Sequence, residues 1–165
     1  MRAALVVALA LAAAAPSTAA AGAASVRYAA AKTVSPWAFR SVAERDATFR
    51  DLARFIERLA ERGLPADRTL RVELLEVSPA GRFEPWRVNA SDVRILTDTT
   101  PPSVKLAYAL VERGRTILSG EETVTDMNYL WNVAARGSSD RLAYEKAMLK
   151  DWFRSRIVKG RKAPW

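Results

Sequence analysis

An α+β fold is predicted: a mostly antiparallel sheet of four to five strands, with two amphipathic helices packed on one face. Three observations predict it. Apolar residues recur at helical spacing in two long segments, one near each end of the body of the chain. Between them lie segments with alternating apolar and polar residues, the mark of half-buried strands. Short turns rather than helical crossovers join those segments, so consecutive strands run antiparallel.

The elements follow in order. Ser25 to Tyr28 reads as a short first strand, with Val26 and Tyr28 on one face, and Pro36 and Trp37 mark a turn. Residues 41–62 are the clearest helix. Ser41 and Glu44 fit a capping box, and Val42, Phe49, Leu52, Ile56, Leu59 and Ala60 form the apolar stripe. Gly63 is suited to a left-handed cap, and Pro65 prevents continuation. Residues 69–78 are a strand in which Leu70, Val72 and Leu74 share a face. Leu75 and Val77 then shift the phase, which predicts a bulge. Ser78 to Gly81 is a turn, and a loop with Phe83, Pro85 and Trp86 leads to a short strand at residues 92–97. Val104, Leu106, Tyr108 and Leu110 alternate, and the chain returns over 116–124 through a turn containing Gly114, so these two strands form a hairpin. Residues 139–157 are the second helix, capped by Ser139 or Asp140. Leu142, Leu149, Trp152, Phe153 and Ile157 form its buried stripe. Tyr144, Met148 and Trp152 align on one side, with Glu145 and Lys146 at its edges.

The first two dozen residues have the order of a cleavable signal peptide. Arg2 is followed by the uncharged run Ala3–Ala15, the break Pro16-Ser17-Thr18, and then small residues ending at Ala19, Ala21 or Ala24. The run is too short to span a bilayer, and no Cys follows it to take a lipid. The expected organisation is a signal peptide at 1–24, a single domain at 25–158 and a flexible basic tail at 159–165, in a periplasmic or secreted protein. No transmembrane segment is expected once the signal is removed.

Composition excludes several chemistries. The 165 residues contain no Cys and no His. Disulfides, the usual zinc sites and Ser-His or Cys-His nucleophiles are therefore unavailable. No phosphate-binding glycine loop, nucleophile elbow or calcium loop is present. No catalytic residue, metal site or cofactor is assigned. The net charge of +8 reads first as solubility; as a recognition feature it suits anionic lipid or acidic polysaccharide before nucleic acid, the partner an exported protein has least cause to meet.

Two loop clusters carry the candidate binding residues. Trp86, in a Pro-containing loop, offers an aromatic face, although such a residue also seals the end of a core. The segment Asp126 to Trp131 places a carboxylate, an amide, a phenol and an indole at Asp126, Asn128, Tyr129 and Trp131. Binding groups collect in such connections, yet Asp126 and Asn128 also suit a turn that only satisfies backbone groups. A hydrolase would pair Asp126 with Glu121 or Glu122.

The motifs Gly81-x-x-Glu84-Pro85-Trp86, Asp126-Met127-Asn128-Tyr129-Leu130 and Tyr144-Glu145-Lys146-x-x-Leu149-x-Asp151-Trp152-Phe153 carry a resemblance. In this order they resemble a family of small exported proteins of Gram-negative bacteria, a domain of unknown function, over roughly residues 26–157. The resemblance implies export and one domain and brings no catalytic residues. Taken together, the sequence points to a non-enzymatic envelope module that binds a protein or an anionic component. The alternatives are a metal-free carboxylate hydrolase and a protein held on anionic lipid by its basic tail.

Overall fold

The computed structural model describes residues 22–28, 38–84, 86 and 93–160. Leader residues 1–21, the turn at Pro36 and Trp37, and tail residues 161–165 lie outside them, whereas Ala23 and Ala24, at the end of the expected leader, are described and pair with Thr69 and Leu70. The elements are β1 (Ala23–Arg27), α1 (Val42–Gly63), β2 (Arg68–Ser78), β3 (Arg82–Phe83), β4 (Arg94–Ile95), β5 (Ser103–Glu112), β6 (Arg115–Thr125), α2 (Val133–Arg136) and α3 (Ala143–Trp152). The main sheet has the order β1-β2-β5-β6 and is antiparallel except for the pair β1–β2. The fold is α+β, as predicted. Of the expected strand at 92–97, the described residues 93–97 contribute Arg94 and Ile95, which pair with β3 in a separate two-stranded ribbon.

Local sequence explains most of these elements. The Ser41 side chain accepts the Glu44 N–H at 3.1 Å and caps α1. The Glu44 carboxylate returns to the Arg40 N–H at 2.9 Å, one residue earlier than a standard capping box. The bulge in β2 is present: the register with β5 shifts between Leu74 and Glu76, which restores Val77 to the inner face. At the tip of β5–β6, Arg113 and Gly114 have φ of 49° and 80°. Two positive φ angles in a two-residue loop match the right-handed twist of the strands.

Three details differ from the sequence reading. Gly63 does not take a left-handed cap; it is the last residue of α1, and Leu64 follows in an extended conformation. Its role is close packing, because a Cβ there would lie 2.7 Å from Cε1 of Phe153. The C-terminal helix begins at Ala143 rather than 139, since Asp140 accepts the Leu142 N–H in a preceding turn. It also widens into a π-helix over Phe153–Val158, a form that requires one extra residue per turn.

The core lies between the inner sheet face and the helices. Phe49, Leu52, Ile56 and Ala60 of α1 meet Leu70, Val72, Leu74, Val104, Leu106 and Leu110 of the sheet. α1 packs on β1 and β2, whereas α3 packs on β6 and against α1, so both helices share one face. Leu149, Trp152, Phe153 and Ile157 complete the layer. The opposite face is polar, with Ser25, Arg71, Glu73, Lys105, Glu121 and Thr123 at its successive register positions.

Candidate functional site

Three strand ends meet at one end of the sheet: Ser78 of β2 pairs with Ser103 of β5, which pairs with Thr125 of β6. The segments that leave or enter there are 79–84, 94–102 and 126–133. They carry most of the residues singled out from the sequence, and a hydrogen-bond network ties them together.

The network starts at Gly81. Its φ of 74° and a projected Cβ only 2.4 Å from the Ile95 carbonyl oxygen require glycine. The Gly81 N–H donates to the Thr100 carbonyl at 2.9 Å, and Arg94 donates to the Gly81 carbonyl at 3.3 Å. Arg94 also donates to the Ala38 carbonyl at 2.7 Å, approaches Glu44 at 3.6 Å, and lies 4.4 Å over the Phe83 ring. Burial pulls its guanidinium below the ordinary value, against the opposing pull of Glu44 and Glu145.

Glu145 is the residue that sequence reasoning missed. It lies inside the apolar stripe, not at its edge, and is 1% exposed. Its Oε1 accepts the Ala80 N–H at 2.7 Å, which joins α3 to the turn after β2. Its Oε2 is buried with no hydrogen-bond partner. Burial pushes the carboxyl above its ordinary value, although the Ala80 N–H and Arg94 favour the ion. The signal was available in the sequence: Glu145, Met148, Leu149 and Trp152 follow the i, i+3, i+4, i+7 spacing of a buried stripe.

The 126–133 segment divides by orientation. Asp126 accepts the Asn128 N–H at 2.9 Å and closes a turn. Asn128 is exposed and accepts the Trp131 N–H on its carbonyl at 2.9 Å. Tyr129 is fully buried at 0% exposure. Its hydroxyl donates to the Thr97 carbonyl at 2.7 Å, and its ring meets Tyr144 edge-on with centroids 5.0 Å apart. Trp131 points the other way and is 81% exposed, with Met127 at 66% and Val133 at 77%. Asn132 caps α2 by accepting the Ala135 N–H at 3.0 Å. A fixed backbone thus presents the exposed side chains. Trp86 is also exposed, with the Arg82 guanidinium 5.9 Å from its ring centroid.

The carboxylates near Asp126 are committed elsewhere. Glu121 and Glu122 point to opposite sheet faces, as neighbours on a strand must. Glu121 pairs with Lys105 at 2.9 Å on the outer face. On the inner face Glu122 accepts from Trp152 Nε1 at 2.6 Å and from Arg156 Nε at 3.0 Å. Burial favours its neutral form, but Arg156, the Trp152 N–H and the Tyr108 hydroxyl outweigh this and hold the carboxyl below its ordinary value. Among the described residues no group of three carboxylates converges to hold a metal.

Inward Tyr129 and outward Trp131 should respond differently to substitution. Tyr129→Phe removes a buried hydroxyl and its bond to the Thr97 carbonyl, which keeps the Thr100 N–H and hydroxyl as donors, for an expected loss of about 1 kcal/mol. Trp131→Ala should stay within about 0.5 kcal/mol of wild type, as surface substitutions do. Urea unfolding of both variants checks this. A larger loss for Trp131→Ala than for Tyr129→Phe would reverse the assignment.

No curated protein sequence matches the chain. A family profile does, over residues 22–155, which takes in the whole sheet, the helices and every motif of the network at its end. The chain belongs to the family described as Protein of unknown function (DUF3016).

Proposed function

We propose that the protein is an exported, non-enzymatic binding module of the cell envelope, working in the periplasm. The observation that carries this reading is the outward-facing Trp131 on a hydrogen-bonded turn, with Met127 and Val133 also exposed in the same segment. Single exposed apolar residues are common, but an aromatic on a hydrogen-bonded turn, with two large apolar residues exposed in the same segment, is the form of a contact surface. The carboxylates a hydrolase would need are paired or buried: Glu121 with Lys105, Glu122 with Arg156, and Glu145 behind the Ala80 turn. The apolar run after Arg2 and the small residues near Ala19 to Ala24 support export. No helix among the described residues is long and apolar enough to cross a membrane.

Purification of the tagged protein from envelope extract, with sequencing of its N-terminus, tests both halves. The mature chain should begin between Ala20 and Ser25 and should bring down an envelope component. Met1 or Arg2 at the N-terminus of the exported protein would overturn the export half. Recovery of the same material by wild type and Trp131→Ala would overturn the binding half.

A further inference from the structure

Next to Trp131 in the chain, the backbone enters the wall of a groove of about 390 Å³ beside α2 and α3. Asn132 and Ala134 line one side of it. Lys146, Lys150 and Arg154 line the other, four residues apart and so along one side of the helix. Lys146 is paired with Asp140, and Arg154 is only 4.0 Å from the exposed Asp151. Lys150 has no ion-pair partner among the described residues. The segment that displays Trp131 and Val133 thus borders a wall of three cations and two carboxylates, Asp140 and Asp151, which leaves it net positive through Lys150.

We propose that this face docks on an anionic phospholipid surface, with Trp131, Met127 and Val133 entering the interfacial layer and Lys146, Lys150 and Arg154 meeting lipid phosphates. The inference rests on the envelope reading above and names its partner. Three features favour a lipid surface over a protein groove. The apolar residues project outward instead of lining a pocket. Tryptophan is the side chain best suited to the boundary between headgroups and acyl chains. Lysines beside such a residue gain from the negative potential of anionic lipid, a gain that salt screens. Binding of this type needs both parts, because neither a few apolar residues nor a few charges hold a protein on a bilayer alone.

The test is sedimentation of the full-length mature protein with vesicles of phosphatidylcholine, with and without phosphatidylglycerol. Wild type should sediment with the anionic vesicles, release with added salt, and show a blue shift of tryptophan emission. Trp131→Ala should bind about tenfold more weakly while keeping the wild-type unfolding midpoint. Lys150→Ala should weaken binding about fivefold, and a paired Lys150→Ala and Arg154→Ala change should weaken it further. Equal binding by wild type and Trp131→Ala, or no sedimentation with either vesicle, overturns the lipid inference. Capture of an envelope protein through Trp131 without vesicle binding overturns it too, yet leaves the binding-module reading standing. Failure of vesicles and extract together removes both.

Discussion

Trp152→Ala should lower the unfolding free energy by about 3–5 kcal/mol, the range for removing a large aromatic from a packed core. Trp152 is 6% exposed and sits where α3, β5 and β6 meet. Its ring lies edge-on to Tyr108 at 5.6 Å, and its Nε1–H serves the Glu122 carboxylate at 2.6 Å. Truncation therefore leaves a cavity and removes a donor from an ionised group in one step. Arg156 stays on Glu122, so that carboxylate is not stranded and the two losses do not simply add. Trp152→Phe separates them, since it keeps most of the apolar volume and loses the indole N–H. Its expected cost is about 1.5–3 kcal/mol, the worth of a hydrogen bond to a charged partner. Folded domains hold only about 5–15 kcal/mol in reserve, so the alanine variant should be visibly less stable in denaturant. A loss below about 1 kcal/mol for Trp152→Ala would mean that the indole is not packed between the helix and the sheet.

What the sequence could and could not reveal follows the range of the forces involved. The alternation of β5, the Ser41 cap and the β2 bulge depend on neighbours a few residues away, and each was legible. The parallel pairing of β1 with β2 departs from the antiparallel pattern because the helix α1, not a short turn, joins the two strands, and a helical crossover returns the chain in the same direction. At Gly63 the sequence misled. Its local context resembles a helix cap, but the constraint comes from Phe153, ninety positions away in the chain. The π-helix at Phe153 is equally silent in the sequence; its residues meet Gly63 through Phe153 and Glu122 through Arg156, both far away in the chain. At the candidate site, the motif Asp126 to Trp131 was recognised as one unit. Only the structure separates Tyr129, which anchors it, from Trp131, which it displays.

Glu145 gives the sharpest prediction on pH. Its folded pKa is raised, first by burial and further by Asp140, and lowered in part by the Ala80 N–H and Arg94. Glu44 also faces Arg94 and competes for it. The sign follows from linkage. Between the unfolded value of 4.5 and the higher folded value, the native state binds more protons than the unfolded chain. The associated stability is fully present below the unfolded value and is lost as pH rises through the folded one. Glu122 behaves in the opposite sense: its folded value is depressed, so its contribution is present above 4.5 and is lost at lower pH. The two windows lie on opposite sides of the ordinary carboxylate value and can be read separately. From about pH 5 upward, wild-type stability should fall by up to about 1.4 kcal/mol per pH unit until Glu145 is ionised. Glu145→Gln mimics the protonated acid, and its amide oxygen can still accept the Ala80 N–H. It should match wild type in mild acid and exceed it by a margin that grows until Glu145 is ionised in the folded protein and is constant above that pH. Glu145→Ala should be less stable than Glu145→Gln by about 1–3 kcal/mol at every pH, because it leaves the buried Ala80 N–H without an acceptor. Denaturant unfolding of the three proteins across this range is the measurement. Parallel curves for wild type and Glu145→Gln would show that the carboxyl titrates alike in the folded and unfolded chains, and hence that water reaches it.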